Sequence, residues 1–452
     1  MRLMDRLKRL LRGPPKIPSG LYTYRGRDEF AGLALQLRVE PSGEGLLVIN
    51  ANTVLYLNRT AAAHAYFFMM GLSTEEAVRE LRRLYRVGEE EARRDHEELI
   101  YTISTLAQTE EVCPISYLGV ERVEPFSQVL SAPIRMDLAL TFRCQNNCLH
   151  CYAGGPHETP ELSTEDWKRV MDRLHELGVF IYTFTGGEPT LREDLPELLA
   201  HAQRIGAVTG LITNGRRLKD EEYVESLVEA GLDFVQITLE SHLPEVHDAI
   251  TQSPGSWEET VEGIRRIVPT PIYATTNTTL NRMNADHFLE TIQFIHDLGV
   301  RAFGCNSLIY SGKAPEVAEE FALSIERLKE LLPKVLVKAR ALEMKFNWFT
   351  PTQYCVLNPV SLGLGVKSCS ACRANMCIGP QGEVYPCQSY FEPLGNILRD
   401  DWDSIWNHPL CQEIRNRDYA PEKCRECPEF QICGAGCPLE LKEKGYLCPG
   451  PP

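Results

Sequence analysis

The chain has no run of eighteen apolar residues, so nothing in it reads as a membrane-spanning helix and no integral membrane association is expected. The N-terminus lacks an apolar segment followed by a cleavage site, which reads against a secretory signal and in favour of the cytoplasm. Basic charge is in short supply. Lys and Arg number 47 against 62 Asp and Glu, a net charge of −15. A phosphate backbone needs a basic groove, so no nucleic-acid partner is expected. A hydrophobic content of 43% and 452 residues leave room for two to four domains with real cores. Cysteine is the abundant residue, with sixteen. In a reducing compartment these read as metal ligands rather than disulfides.

Three of them stand together. Cys144, Cys148 and Cys151 are spaced C-x3-C-x2-C, directly after an apolar stretch, 136–142, that reads as a buried strand. Three thiolates can hold three corners of a 4Fe–4S cube and leave one iron open to a substrate or cofactor. The alternative is a zinc knuckle, but zinc in a closed site takes four ligands, and here only His150 could join the three. His150 itself reads as a pocket-lining residue.

From 136 to about 343, strand and helix patterns alternate six times, with strands expected at 136–142, 179–185, 207–213, 233–239, 271–280 and 300–308. Repeated βα units imply a parallel barrel or open sheet with its chemistry at the strands' C-terminal ends. Trp167, Val170, Met171, Leu174 and Leu177 repeat at helical spacing and read as core. Cys305, near the end of the sixth strand, reads as a buried thiol, with a radical-trapping role as the alternative.

With Tyr152 following the third cysteine, this region resembles the radical S-adenosylmethionine (radical SAM) superfamily. The resemblance implies a six-unit (β/α) partial TIM barrel over 135–345, a SAM-binding 4Fe–4S cluster on Cys144, Cys148 and Cys151, and reduction by a flavodoxin or ferredoxin. It also implies cofactor contacts. Gly186, Gly187, Glu188 and Pro189 correspond to the loop that holds the methionine amino group of SAM, a carboxylate facing an ammonium. Asn214 ends the third strand, Thr238 and Glu240 end the fourth at the ribose- and carboxylate-contacting position, and Asn277 lies in the fifth. The arginine that many relatives carry after the fourth strand is absent from Val246–Ile250. A catalytic general base is not legible.

Upstream, residues 1–12 have a basic, amphipathic helical pattern that reads as a solvated leader, with a membrane-surface or partner helix as the alternative. Alternating apolar residues at 33–39, with further short runs at 46–49 and 54–57, read as three strands. Helices are expected at 60–70, 73–87 and 89–106, the second opened by a Ser73/Glu76 capping box. Three strands, three helices and the phrase Leu55–Ala61 resemble the PqqD-like fold, or RiPP recognition element. This implies a winged-helix-like α+β domain over 33–112 that binds the leader of a precursor peptide along a sheet edge. An N-terminal extension (1–32) and a linker (113–134) flank it, and Cys113 in the linker reads as incidental.

Eleven cysteines lie between 355 and 448. Cys424, Cys427, Cys433 and Cys437 are spaced C-x2-C-x5-C-x3-C, with Cys448 beyond, and Gly382 to Cys387 gives G-x4-C. The pattern resembles the SPASM domain, expected here over 346–452. That resemblance implies two auxiliary 4Fe–4S clusters. Cys424, Cys427, Cys433 and Cys448 would hold one. Cys387 and Cys437 would hold the other, completed from Cys369, Cys372 and Cys377, with Cys355 a further candidate. Cys411 fits no spacing and reads as core. A zinc ribbon is the alternative for the four spaced cysteines alone.

The combination implies a radical SAM oxidoreductase that modifies a ribosomally made peptide, by a thioether or another cross-link. Two rivals are a radical enzyme acting on a folded protein or small molecule, of sulfatase-maturing or haem-pathway type, and a non-catalytic, zinc-stabilised peptide-binding scaffold.

Overall fold

The computed structural model describes residues 17–26, 30, 33–50, 53–108 and 130–445. The expected helix at 1–12, Cys113 and Cys448 lie outside the described residues. The chain divides into two compact units, one of residues 1–132 with 174–180 and the other of 133–173 with 181–452.

The first unit holds an antiparallel sheet in the order β1-β2-β3-β4, formed by Gly20–Arg25, Ala34–Val39, Gly45–Ile49 and Thr53–Leu57. Three strands were expected; β1 is a fourth. It lies inside the stretch read as an extension and pairs along its length with β2, Gly20 opposite Val39. The three helices run Arg59–Met69, Thr74–Leu84 and Glu89–Gln108. The capping box is made: Ser73 Oγ accepts from Glu76 N and Glu76 returns to Ser73 N. The apolar faces of sheet and helices, among them Leu35, Leu37, Leu47, Ala62, Phe68 and Leu81, close into one core. The edges of this sheet are β1 and β4.

The second unit is organised on a ten-stranded sheet. Strands β5 (Arg135–Thr141), β6 (Ile181–Gly186), β7 (Val208–Thr213), β8 (Phe234–Thr238), β9 (Tyr273–Thr279) and β10 (Ala302–Asn306) lie side by side in chain order, every pair parallel. Each begins and ends within two residues of its expected position. A further parallel strand, β11 (Lys345–Trp348), extends the sheet beyond β10. On the other side, β12 (Asn375–Ile378) pairs parallel to β5 and carries the short antiparallel strands β13 (Glu383–Tyr385) and β14 (Gly395–Asn396). The cysteine-rich C-terminal segment is thereby stitched by main-chain hydrogen bonds to the strand that delivers the C-x3-C-x2-C loop. β5, β6 and β10 are buried on both faces nearly throughout, as in a parallel sheet covered on two sides. In the helix Thr164–Glu176, Trp167, Val170, Met171 and Leu174 are all fully buried, as core residues should be.

Candidate active site

The cysteine loop leaves β5 and is held from several directions. Asn147 N donates to Thr251 O at 3.0 Å and Leu149 N to Ile250 O at 2.9 Å, so the C-terminal carbonyls of the helix Pro244–Thr251 satisfy the loop's amides. Arg216, just after β7, donates to Asn146 Oδ1 at 2.7 Å and Gln145 O at 3.3 Å while paired to Glu259. Lys313 N donates to Cys151 O at 3.0 Å. These contacts set Cys144, Cys148 and Cys151 on the wall of one open cavity of about 180 Å3. The three sulfurs surround a space and do not knot around a point. Among the described residues, no group of three or more His, Cys, Asp or Glu is arranged for a single metal ion.

Electrostatics fit a cluster. Burial, followed by the nearby Glu188 carboxylate, pushes the Cys144 thiol up to about 12, and burial with Glu240 lifts Cys148 well above the ordinary range. Bare thiolates are disfavoured here, so cationic iron is the compensation that lets them ionise.

The Gly186–Pro189 turn at the end of β6 lies against the exit of β5. Gly187 N donates to Thr141 O at 2.7 Å and Glu188 N to Arg143 O at 2.8 Å. Both glycines are required. A Cβ on Gly186, which has φ +134°, would run into Thr141 O, and one on Gly187 would meet Arg143 O. Tyr152 closes the arrangement, its hydroxyl donating to Gly186 O at 2.8 Å. Gly186, Gly187 and Tyr152 line the cavity.

Glu188 does not face it. Its carboxylate is fully buried and accepts from Thr190 N (3.1 Å), Thr190 Oγ1 (2.6 Å), Thr213 Oγ1 (2.7 Å) and Asn214 N (2.8 Å). The expectation of a carboxylate aimed at an ammonium is corrected: Glu188 ties the β6 turn to the end of β7. Pro189 opens the short turn behind it. Glu240 is also withdrawn. It is fully buried, accepts from Thr279 N at 3.1 Å and pairs with His150 Nε2 at 3.3 Å, leaving His150 on the cavity wall.

Asn214, Thr238 and Asn277 do line the cavity, joined by Gln236, Thr279, Asn306 and Gln388, which the sequence reading missed. Thr279 shares a strand face with Asn277, so its alternation was the available signal. Asn277 donates to Asn306 Oδ1 at 2.9 Å, while its own Oδ1 and Gln388 Oε1 are buried without partners. Such acceptors call for donors, and ribose hydroxyls, an amine and an adenine amino group are donors. Cys305 is fully buried and is not part of this wall.

Farther along the chain, Cys369, Cys387 and Cys437 converge. Burial lifts each thiol, and Cys369 acts on both Cys387, pushed up to about 12, and Cys437. Cys424 and Cys427 likewise act on Cys433. Cys377 sits in β12 opposite Asp137, buried with Ala139 and Phe142. Two expectations change. Cys372 and Cys411 form a disulfide, and Cys355 is also disulfide-bonded. Cys372 therefore does not present its sulfur to Cys387 and Cys437, and Cys411 is not an isolated core thiol. Both half-cystines are fully buried, a packing outcome that spacing does not encode.

Residues 138–295 match the Radical SAM superfamily and residues 369–428 the SPASM iron–sulfur cluster-binding domain. The chain thus carries both domains and is a radical SAM enzyme. SAM, a 4Fe–4S cluster and auxiliary iron–sulfur clusters are its cofactors. A PqqA peptide cyclase of Granulibacter bethesdensis is 28% identical over 68% of this chain and 83% of that protein. Mycofactocin maturase MftC of Mycolicibacterium smegmatis is 29% identical over 73% and 84%. An AdoMet-dependent heme synthase of Methanosarcina barkeri is 26% identical over 68% and 91%. Among solved structures, Streptococcus suis SuiB bound to precursor peptide SuiA matches with TM-score 0.67 at 16% identity, covering 95% of this chain and 98% of that one.

Proposed function

We propose that the enzyme modifies a ribosomally synthesised precursor peptide, installing a thioether or another cross-link. In this reading residues 135–345 form the six-unit partial barrel. Residues 33–112, extended by β1, form a PqqD-like domain that holds the peptide's leader, and 346–452 form the SPASM domain. A flavodoxin or ferredoxin in the cytoplasm is the electron donor. Bound at Cys144, Cys148 and Cys151, a 4Fe–4S cluster with SAM supplies reductive cleavage to a hydrogen-abstracting 5′-deoxyadenosyl radical.

The chain's own residues do the rest. The Gly186–Gly187 main chain, pinned by Tyr152 and by Glu188 from behind, offers a close-approach surface for the methionine end of SAM. Thr238 and Asn277 offer hydroxyl and amide groups to its ribose and carboxylate, in place of the missing arginine. The sheet's buried strands keep bulk water from the target carbon. Auxiliary clusters fit Cys369, Cys387 and Cys437, with Cys377 at hand, and Cys424, Cys427 and Cys433 with Cys448.

The peptide reading is carried by β4, an edge strand of a separately cored unit: an edge accepts an added strand by main-chain hydrogen bonds. Likeness to the peptide-bound SuiB structure along 95% of this chain supports it. The heme synthase relative supports a small-molecule alternative, and its alignment covers 68% of this chain. Deleting residues 1–110 separates the two. Loss of peptide modification with slow uncoupled SAM cleavage retained is expected; equal peptide turnover without that segment would refute the proposal.

A further inference from the structure

The helix Pro409–Asn416 ends on an arginine where the backbone favours glycine. Arg417 has φ +60°, in the left-handed region that strains any residue with a Cβ. Such strain is kept where the side chain has a task. That side chain is not on the surface, for Arg417 is 5% exposed. Its guanidinium donates to Ser368 Oγ at 3.2 Å and to Phe430 O. Gly434 packs against it: a Cβ there would sit 2.9 Å from Arg417 Nε.

These contacts adjoin one set of thiols. Ser368 precedes Cys369, and Gly434 opens the turn that leads to Cys437. Tyr419 donates its hydroxyl to Gly434 O at 2.9 Å and holds the same turn. Burial raises the Cys369 thiol, while Arg373 and Arg417 both act to lower it. A buried guanidinium calls for an opposite charge. The partners of Arg417 are a hydroxyl and a carbonyl, and the neighbouring Arg415 donates to Cys372 O at 3.1 Å and to Trp406 O, so these partners are all neutral. The carboxylate next in sequence, Asp418, is turned to Arg425 at 3.4 Å. The anion that fits is the thiolate set itself, and the net charge around a thiolate-bound 4Fe–4S cube is one of the terms that set its reduction potential.

We propose that Arg417 is a positioning residue for the cluster held by Cys369, Cys387 and Cys437, its fixed positive charge making that cluster easier to reduce. The inference rests on the grouping of those three cysteines given above. The step concerned is the gain of one electron from a low-potential donor of flavodoxin or ferredoxin type; no bond forms or breaks and no proton moves. The added electron is negative charge, which a nearby buried cation stabilises.

The test is a potentiometric titration followed by electron paramagnetic resonance. It uses the anaerobically reconstituted full-length chain carrying Cys144→Ser, Cys148→Ser and Cys151→Ser, so that the distal clusters alone titrate. The signal that a further Cys387→Ser removes belongs to the cluster in question. At the potential where half of that cluster is reduced, Arg417→Gln should lower the reduced-to-oxidised ratio by about tenfold. Arg417→Lys, which keeps the charge and loses the planar fork, should lower it by about threefold at most. An unchanged ratio in Arg417→Gln overturns the proposal. So does an equal fall in Arg417→Lys, because lost hydrogen bonds and not lost charge would then account for it. If Arg417→Gln sheds this cluster's iron, Arg417→Lys decides: iron retained supports the role of the charge, and iron lost there too overturns it. Failure of the cysteine grouping shows separately, as a chain from which Cys387→Ser removes no signal.

Discussion

The hydroxyl of Tyr152 donates to the carbonyl oxygen of Gly186 at 2.8 Å, across thirty-four residues of sequence. One bond thereby joins the cysteine loop to the glycine turn, the two segments that must agree in position for an open iron and a methionine group to meet. Tyr152→Phe keeps the ring, which stacks on Phe391, and removes the hydroxyl that makes this bond and meets Thr185. A net hydrogen bond is worth about 1 kcal/mol, so SAM affinity should fall about fivefold. Iron content should stay at the wild-type level. Equilibrium SAM binding and iron analysis on the same preparation check both halves.

Arg216 holds the other side of the loop. Its guanidinium reaches Gln145 O, Asn146 Oδ1 and Ser253 Oγ while paired with Glu259. Arg216→Ala leaves the loop's inner acceptors and Glu259 short of a partner. A loss of about 2 kcal/mol in unfolding free energy is expected, together with faster loss of the first cluster's absorbance under chelator. Arg216→Lys should recover part of the stability but little of the cluster's resistance, since an ammonium cannot reproduce the planar fork.

What could be read beforehand divides along a physical line. Strand ends carrying Cys144–Cys151, Gly186–Pro189 and Asn214 were legible because backbone geometry dictates residue type there, and the sheet runs in chain order. β1 was missed because its GLYTYR run follows Pro18 and Ser19, opens on a glycine and precedes charged residues, and its pairing to β2 is a tertiary event. The direction of Glu188 was unreadable for the same reason. Two of its four donors, Thr213 and Asn214, belong to another strand end. Gln388 belongs to a segment brought to the cavity through the pairing of β12 with β5, which no local pattern encodes.

The grouping of the distal cysteines predicts iron content. Cys369→Ser, Cys387→Ser and Cys437→Ser should each lower iron by the share of one auxiliary cluster while SAM cleavage at the first cluster persists. Cys372→Ser, whose sulfur is engaged by Cys411, and Cys305→Ala, buried away from the cavity, should leave iron unchanged. Iron and sulfide quantification after anaerobic reconstitution checks this. It also tests the zinc-stabilised scaffold, for which zinc without sulfide would be found.

The first unit carries a pH dependence of its own. His64 and His96, from two of its helices, meet Nδ1 to Nδ1 at 3.3 Å in a buried position. Burial, then the neighbouring ring, lowers His64 to about 4, and burial lowers His96. In the unfolded chain both protonate near 6.5. Below that pH the unfolded state binds more protons than the folded one, so stability is complete above about 6.5 and is lost as pH falls toward 4. For His64 alone the loss reaches about 3 kcal/mol across that window. Hydrogen exchange of the helix Arg59–Met69 should therefore accelerate between pH 6.5 and 4, while strands β6 and β7 of the other unit, free of such a pair, hold their protection. His64→Gln should flatten the profile. A helix that protects equally at both ends of the range would show that the two rings are already charged in the folded unit.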